Sequence, residues 1–295
     1  MSKNTLENTQ AKGVFASVQE LMSQTLNPSY LNPKRTLHEQ CITTGFHAID
    51  NITKGFKAGE LITVAVRPGI GKTSFLLSMI NNISLCENHS VGIFSAERTG
   101  KQFMKRLIQS TSGISMAKIN KDELSDLERN HVKSIINSIG HSNIIIDDQA
   151  GISTNTISEK AKHMVELGAE LIFVDFLELL HSNNTNNGCE DDDLCNVVID
   201  LKNLAKELNV PIVLFSQLKK PIKYDNKYKY TPDYINNNTD TLIFLNRPSY
   251  YHINQIEHKA DDTAEITIAK NINIGDMQMT KLRIIESLGQ FRDMN

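Results

Sequence analysis

The residues best suited to chemistry lie in one short run with the composition of a phosphate-binding loop. The run reads Arg67, Pro68, Gly69, Ile70, Gly71, Lys72, Thr73 and Ser74. Its two glycines allow several backbone N–H groups to face one anion, while Lys72 can reach phosphate oxygens and the Thr73 hydroxyl can ligate Mg²⁺. The strict motif begins with glycine, and this chain has Val66 at that position. The run predicts a site for ATP or GTP, with an ordinary glycine turn before a helix as the alternative.

Three polar side chains follow apolar, strand-like runs elsewhere in the chain and could complete such a site. These side chains are Asp175, Glu97 and Gln217. Asp175 is predicted to support Mg²⁺, because carboxylates at strand ends are common ligands of nucleotide-bound magnesium. Glu97 could act as a general base toward the attacking water, and a solvated helix cap is the alternative. Gln217 could detect the γ-phosphate, and a surface amide is the alternative there.

Strand-like and helix-like stretches alternate from residue 44 onward. The predicted strands are 61–66, 91–95, 143–147, 171–175, 211–216 and 241–245, and the predicted helices include 101–112, 121–139, 154–167 and 194–208. This alternation predicts an α/β fold with a mostly parallel sheet and helices on both faces. Alternating residues at 264–270 and 279–286 predict antiparallel strands at one edge of the sheet.

The N-terminal segment, residues 1–43, is predicted to be separate from a single domain at 44–295. Apolar residues recur at three- and four-residue spacing between residues 12 and 26, which predicts an amphipathic helix. Pro28 and Pro33 then favour an extended tether. Such a helix could fold back on its own domain or dock on a neighbouring subunit.

The overall composition restricts the class of protein. The chain has 295 residues, 40% of them hydrophobic, and a formal net charge of −3. Binding to nucleic acid would therefore require a local basic patch rather than a globally basic surface. The four cysteines lack metal-binding spacing and are expected to be reduced thiols. No signal peptide or membrane span is expected, which predicts a cytoplasmic location.

Taken in order, several stretches resemble the C-terminal ATPase domain of the DnaB family of replicative DNA helicases, a RecA-like P-loop NTPase fold. The resemblance runs from about residue 43 to residue 291 and rests on residues 44–50, 59–62, 67–73, 94–97, 174–179, 204–211 and 216–218. The P-loop of this family often begins without glycine, which agrees with Val66. The helix at 12–26 occupies the position of the family's linker helix, and we expect the family's N-terminal helical domain to be absent.

The resemblance implies a ring, typically a hexamer, that hydrolyses ATP with Mg²⁺ between subunits. It also implies movement along single-stranded DNA in the 5′ to 3′ direction during replication, with a loader or primase as partner. The roles that it implies by position are phosphate and Mg²⁺ binding for Lys72 and Thr73, metal support for Asp175, the catalytic base for Glu97 and coupling to DNA for Gln217. It places Arg247 near the nucleotide and Lys270 at the γ-phosphate of a neighbouring subunit.

The chain departs from the family pattern at two kinds of position. The family has Lys-x-Arg on a late strand, whereas this chain keeps Lys270 and has Ile272 in place of the arginine. Because that arginine supplies charge to the transition state, its loss predicts slower turnover. The family's DNA-binding loop has an Arg-Glu-Ser-Gly core that residues 233–238 lack, and the acidic residues at 190–193, in a loop predicted at 181–193, would repel phosphate.

A lysine-rich segment after Gln217 favours DNA binding. Lys219, Lys220 and Lys223 begin a stretch in which lysines and tyrosines are interleaved, which combines positive charge with stacking surfaces. A solvated lysine loop is the alternative. Three functions remain open: a helicase motor, a nucleotide-binding assembly or regulatory protein without helicase activity, and a RecA-like ATPase that acts on another polymer.

Overall fold

The computed structural model describes residues 41–182, 190–218, 232–251 and 262–294. The predicted amphipathic helix at 12–26 lies outside the described residues, and so does the segment that contains Lys219, Lys220 and Lys223. The division at residues 43 and 44 stays a prediction. Within the described ranges, no helix combines the length and the apolar character needed to cross a lipid bilayer.

Eleven strands and nine α-helices are present in the described part of the chain. The strands are β1 (Cys41–Ile42), β2 (Phe56–Lys57), β3 (Leu61–Val66), β4 (Val91–Ser95), β5 (Ile144–Asp147), β6 (Leu171–Asp175), β7 (Ile212–Gln217), β8 (Thr241–Asn246), β9 (Thr263–Lys270), β10 (Gln278–Ile285) and β11 (Gln290–Asp293). The helices are α1 (His47–Thr53), α2 (Lys72–Ile80), α3 (Gly100–Ser112), α4 (Met116–Asn120), α5 (Asp126–His141), α6 (Thr154–Glu166), α7 (Glu190–Leu208), α8 (Asp233–Asn238) and α9 (Pro248–Tyr251). A π-helical turn, Asn81–Cys86, continues α2, and a 3₁₀ turn, Leu177–Leu179, follows β6.

Nine of these strands form one sheet, in the order β11-β10-β9-β8-β3-β7-β6-β4-β5. All neighbours from β8 to β5 are parallel, and β9, β10 and β11 extend the sheet in antiparallel fashion beyond β8. Every residue of β3 and of β6 is buried, as expected for central strands covered on both faces. The arrangement confirms the predicted α/β fold and the antiparallel edge.

A hydrophobic core lies on each face of the sheet. On one face, α1, α2 and α3 pack over alternate residues of the central strands. Phe75 of α2 stacks on Phe46 at 5.5 Å between ring centroids and meets Phe291 of β11 edge to face at 5.3 Å. On the other face, α6 and α7 cover the remaining residues of the same strands. Packing on both faces holds the central strands in place, and the carboxyl ends of the parallel strands lie at one edge of the sheet.

One helix begins later than predicted. The helix was predicted at 121–139, whereas α5 begins at Asp126 and ends at His141. Ser125 accepts a hydrogen bond from the backbone N–H of Glu128, and the Glu128 side chain accepts one from the N–H of Ser125. This capping box satisfies two backbone donors and defines the start of the helix.

The acidic residues at 190–193 are helical rather than part of a loop. The prediction of a loop at 181–193 was therefore wrong for its last residues, because α7 begins at Glu190. Acidic residues are tolerated near a helix N-terminus because of the positive end of the helix dipole, so an acidic composition does not by itself indicate a loop. In addition, the Asp193 side chain accepts a hydrogen bond from the N–H of Ser182 at 3.1 Å.

Candidate nucleotide site

The ends of β3, β7, β6 and β4 bring the predicted polar residues to one edge of the sheet. Val66 pairs with Gln217 across β3 and β7, and Ser95 pairs with Asp175 across β4 and β6. Past the end of β4, the N–H of Ala96 donates to the carbonyl of Asp175 at 3.0 Å. Ligands of parallel α/β sheets bind at this carboxyl edge, so the fold places the candidate site where its chemistry requires.

The loop between β3 and α2 has a backbone shape that requires glycine. Gly69 and Gly71 have φ angles of 78° and 112°, in the left-handed region. Gly71 directly precedes α2, so the loop leads into the N-terminus of that helix. A Cβ atom on Gly69 would lie 2.8 Å from the hydroxyl oxygen of Tyr250. A turn into a helix N-terminus of this kind can bind anionic oxygens with its N–H groups.

Lys72 contacts both predicted carboxylates. Its Nζ atom lies 2.5 Å from Oδ1 of Asp175 and 2.9 Å from Oε2 of Glu97. The same ammonium lies 3.5 Å from the ring centroid of Phe176, a cation–π contact. Lys72, Glu97 and Asp175 are far apart in the sequence but are in contact beside the glycine loop.

Asp175 and Thr73 offer oxygen atoms that suit magnesium. Burial raises the pKa of Asp175, while the charge and hydrogen bond of Lys72 oppose that shift. The Oδ2 atom of Asp175 is buried without a hydrogen-bond partner among the described residues. Mg²⁺ prefers oxygen ligands and usually shares a few protein groups with substrate phosphates and water. The described residues contain no cluster of three or more His, Cys, Asp or Glu side chains that could hold a metal by themselves.

Glu97 is held in its charged form by the cations around it. Partial burial alone would raise its pKa, but the hydrogen bond and charge of Lys72, together with Arg98 and Arg106, outweigh burial and lower the pKa. Nη2 of Arg98 lies 3.2 Å from the second oxygen of Glu97, Oε1. A deprotonated carboxylate at this position can accept a proton.

Gln217 is positioned by a half-buried glutamate, Glu178. Oε1 of Glu178 accepts hydrogen bonds from the N–H of Gln217 at 2.9 Å and from the hydroxyl of Ser216 at 2.7 Å. Burial raises the pKa of Glu178 above its ordinary value, and these two hydrogen bonds oppose the shift. The end of β7 is therefore anchored to the turn after β6, next to Asp175.

Lys72, Glu97 and Gln217 line a cleft of about 250 Å³, which we call the phosphate cleft. Its lining consists of Val66, Arg67, Pro68, Gly69, Gly71, Lys72, Thr73, Ser74, Glu97, Arg98, Arg106 and Gln217. The side chain of Ile70 is buried in the core instead, so this residue can offer only backbone groups. Most of the predicted loop residues line the cleft together with Glu97 and Gln217.

Four predicted residues of the described ranges lie outside the lining of the cleft: Ile70, Asp175, which contacts Lys72, Arg247 and Lys270. Arg247 is buried, contacts Glu286 and lies 5.5 Å from the ring centroid of Tyr250, which in turn approaches Gly69. Lys270 donates to the backbone carbonyls of Asn236 at 2.9 Å and Thr239 at 2.6 Å in its own chain. The assignment of Arg247 to the nucleotide and of Lys270 to a neighbouring subunit stays a prediction.

Sequence reasoning missed three residues at this site. Arg98 and Arg106 line the cleft, and Glu178 anchors Gln217. Arg98 lies just before α3 and Arg106 lies on it, and neither residue closes an apolar strand-like run as the three predicted polar side chains do. The role of Glu178 depends on a contact between two strand ends that the local sequence does not reveal.

Known proteins are similar to this chain in both sequence and fold. Residues 41–293 match the family described as DnaB-like helicase C terminal domain. The replicative DNA helicase DnaB of Geobacillus stearothermophilus is 28% identical over 298 residues, which cover 98% of this chain and 65% of that relative. The replicative DNA helicase DnaC of Bacillus subtilis is also 28% identical over 301 residues, with the same shares of 98% and 65%. The chain thus spans less than two thirds of these two relatives.

Solved structures agree with the sequence comparison. A structure of a DnaB-like replicative helicase, described together with its interactions with primase, has a TM-score of 0.79 at 27% identity and covers 94% of this chain and 70% of that chain. A solved ATPase domain has a TM-score of 0.80 at 26% identity and covers 93% of this chain and 99% of that domain. By its family match over residues 41–293 and its fold, the chain belongs to the family of DnaB-like helicase C-terminal domains.

Proposed function

We propose that the chain is an ATP-dependent DNA helicase motor of the DnaB type, acting in replication. The observation that carries this proposal is the convergence of Lys72, Asp175 and Glu97 at the mouth of a glycine loop. The loop supplies backbone donors, Lys72 supplies charge, and Glu97 supplies a proton acceptor. The named helicase relatives support the same proposal at the level of the family.

Phosphate oxygens in the cleft would compete with both carboxylates for Lys72. When Lys72 turns to the phosphates, Glu97 loses its hydrogen bond to the ammonium, and its pKa rises toward a value suited to a general base. Water then forms a bond to the γ-phosphorus, while the bond from phosphorus to the bridging oxygen breaks and its electron pair stays with ADP. The proton that leaves the water passes to Glu97.

Magnesium fits the oxygen groups at the start of α2. Thr73 and Asp175 would hold it together with phosphate oxygens, and it would neutralise phosphate charge. The unpartnered Oδ2 of Asp175 supports this assignment. Gln217 would report the state of the γ-phosphate to the segment that follows β7.

The assembly and the DNA partner are also proposals. We propose a homo-oligomeric ring, a hexamer by resemblance, that moves 5′ to 3′ on single-stranded DNA and contacts a loader or primase. The similarity to a DnaB-like replicative helicase described with its primase interactions supports a primase as partner. Lys219, Lys220 and Lys223 are our candidates for DNA phosphate contacts, because they follow Gln217 directly.

A second function is favoured by one observation at the late strands. Ile272 has 79% of its surface exposed where the family has an arginine, and Lys270 is bound to carbonyls of its own chain. A nucleotide-dependent assembly or regulatory protein with slow hydrolysis would need neither side chain at a neighbour's phosphate. This alternative shares the phosphate cleft with the first function but does not unwind DNA.

Unwinding of a forked duplex separates the two functions. With Mg²⁺ and ATP, we expect wild type to separate the strands of a fork that has a 5′ single-stranded tail, and we expect no strand separation by Lys72→Ala. In light-scattering measurements, we expect the protein to form a larger particle when nucleotide is added. Nucleotide-dependent assembly with no unwinding would favour the second function. If wild type binds no ATP, both functions are contradicted.

A further inference from the structure

The charge in the phosphate cleft exceeds what the glycine loop alone supplies. Four cationic side chains line it in the described part of the chain, namely Arg67, Lys72, Arg98 and Arg106. Glu97 is the carboxylate in the same lining. A partly enclosed cleft with this balance favours a ligand that carries several negative charges. Arg98 and Arg106, which follow β4, supply the positive charge that the glycine loop does not.

Arg98 is held at the cleft with unused hydrogen-bonding capacity. Its side chain is 22% exposed, and Nη2 lies 3.2 Å from Glu97, beside the proposed base. Its Nε atom is buried and has no hydrogen-bond partner among the residues that the structure describes. The hydroxyl of Ser95 donates to the Arg98 carbonyl at 2.9 Å, which fixes the backbone from which the guanidinium extends.

Arg106 reaches the same cleft from α3. Partial burial and the nearby charge of Arg98 lower its pKa, while Glu97 opposes that shift. Two guanidinium groups close enough to repel each other are stabilised by an anion placed between them. Guanidinium groups match the oxygens of a phosphate with paired N–H donors.

We propose that Arg98, supported by Arg106, binds the terminal phosphate of the nucleoside triphosphate held by the loop of its own subunit. This inference rests on the proposed function at the same cleft. Arginine acting in cis stabilises transition-state charge in some nucleotide hydrolases, so the role is chemically sound. Each subunit would then carry its own arginine at the γ-phosphate, whatever stands at Ile272.

The late strands agree with a charge supplied in cis. Lys270 already donates to Asn236 and Thr239, and Ile272 presents no charge. Arg98, by contrast, is the residue directly after Glu97 and lines the same cleft as Lys72. In the hydrolysis step, the guanidinium would bind γ-phosphate oxygens, while the electron pair of the breaking bond passes to ADP and the water proton to Glu97.

Binding of a triphosphate and a diphosphate tests the proposal without depending on turnover. The probes are ADP and an ATP analogue with a nitrogen bridge between the β- and γ-phosphorus, both with Mg²⁺, measured by calorimetry. We expect Arg98→Met to weaken the triphosphate by about 10- to 100-fold while ADP changes little, because only the triphosphate meets the guanidinium. Arg98→Lys should recover part of the difference, since it keeps the charge but loses the paired donors.

A matched substitution controls for general effects of losing an arginine. Arg129 lies on α5 with an ion pair to Asp122 and does not line the cleft, so Arg129→Met should bind both nucleotides as wild type does. If Arg98→Met matches Arg129→Met, the inference is overturned while nucleotide binding through Lys72 stands. If wild type binds neither nucleotide, the proposed function fails and the inference fails with it. Triphosphate binding that requires Arg98 without any hydrolysis would uphold the inference and overturn the helicase.

Mixed subunits test whether Arg98 acts on its own subunit's nucleotide. Lys72→Ala and Arg98→Met subunits are each expected to lack turnover. Mixing them should restore none if Lys72 and Arg98 must come from the same chain. Turnover regained on mixing would assign Arg98 to the neighbour's site and contradict the proposal.

Discussion

At the scale of single residues, Lys72 balances two carboxylates of different burial. Asp175 is fully buried, whereas the Glu97 side chain is about one third exposed, at 34%. Burial raises the pKa of Asp175, and nearby positive charge lowers the pKa of Glu97. The same ammonium therefore contacts both the proposed metal ligand and the proposed proton acceptor, and its loss should affect folding as well as binding.

Removal of Lys72 should destabilise the fold. In Lys72→Met, Asp175 keeps a buried charge without its partner, and the free energy of unfolding should fall by about 3 kcal/mol. The double variant Lys72→Met/Asp175→Asn should recover much of this loss, because the buried charge is removed as well. Urea unfolding measures both. Lys160→Met, which breaks the more exposed pair with Asp147, should cost less than about 1 kcal/mol, and equal losses at the two sites would contradict the account.

Glu178 should make stability depend on pH. Its raised pKa means that the folded state holds the proton more tightly than the unfolded state. The free energy of unfolding should therefore increase as pH falls from that raised pKa toward the ordinary value of 4.5, and decrease as pH rises. Glu178→Gln should flatten this part of the curve. Glu123→Gln, at an exposed site, should leave it unchanged, and parallel curves for all three proteins would contradict the assignment.

The sequence predicted which residues would lie together at the ends of the parallel strands, and their roles stay predictions. Lys72, Asp175, Glu97 and Gln217 each follow an apolar run, and parallel strands that end at one edge bring such residues together. Arg98 and Glu178 could not be assigned in this way, because their roles depend on side-chain directions set by packing between strands. Their neighbours in the sequence do not encode those directions.

At the scale of elements, the loop between β3 and α2 depends on backbone shape more than on side chains. Gly69 has a left-handed φ and faces Tyr250 of α9, so strain and contact both exclude a larger residue. The periodic patterns predicted the strand and helix on either side because both are buried and continuous. The start of α5 at Asp126 was missed, because the capping box of Ser125 and Glu128 outweighs an apolar pattern that extends further.

Gly69→Ala should weaken nucleotide binding with little change in the rest of the fold. The left-handed conformation costs a residue with a Cβ about 1–2 kcal/mol, and the Tyr250 ring must also move, so we expect affinity to fall roughly tenfold or more. Calorimetry with ADP measures this loss. Gly275→Ala is the control, because an added Cβ there meets nothing within 4 Å and its φ is not left-handed. Unchanged affinity in Gly69→Ala would show that the loop does not hold phosphate in this shape.

At the scale of the whole molecule, the phosphate cleft and the antiparallel edge are formed by different strands of one sheet. The parallel strands β3, β7, β6 and β4 end at the phosphate cleft, while β9, β10 and β11 form the antiparallel edge beyond β8. Ile272 lies in the connection from β9 to β10 and is mostly exposed. In a ring, this edge could face a neighbour without supplying charge to its phosphates.

Restoring an arginine at Ile272 tests where the charge comes from. If Arg98 supplies it in cis, Ile272→Arg should change the ATP turnover of wild type by less than about threefold, yet raise the turnover of Arg98→Met. If the missing charge limits turnover, Ile272→Arg should instead raise the wild-type rate by orders of magnitude, about 10³ or more. Steady-state phosphate release measures both variants, and the second result would contradict the cis arrangement.

The most direct measurement is the rate of ATP hydrolysis with and without single-stranded DNA. We expect wild type to show Mg²⁺-dependent turnover that rises when DNA is added and that falls to background in Lys72→Ala. The Arg129→Met protein should retain the wild-type rate in both conditions. Wild-type turnover no greater than that of Lys72→Ala, at saturating ATP and with DNA present, would show that this cleft does not power a DNA motor.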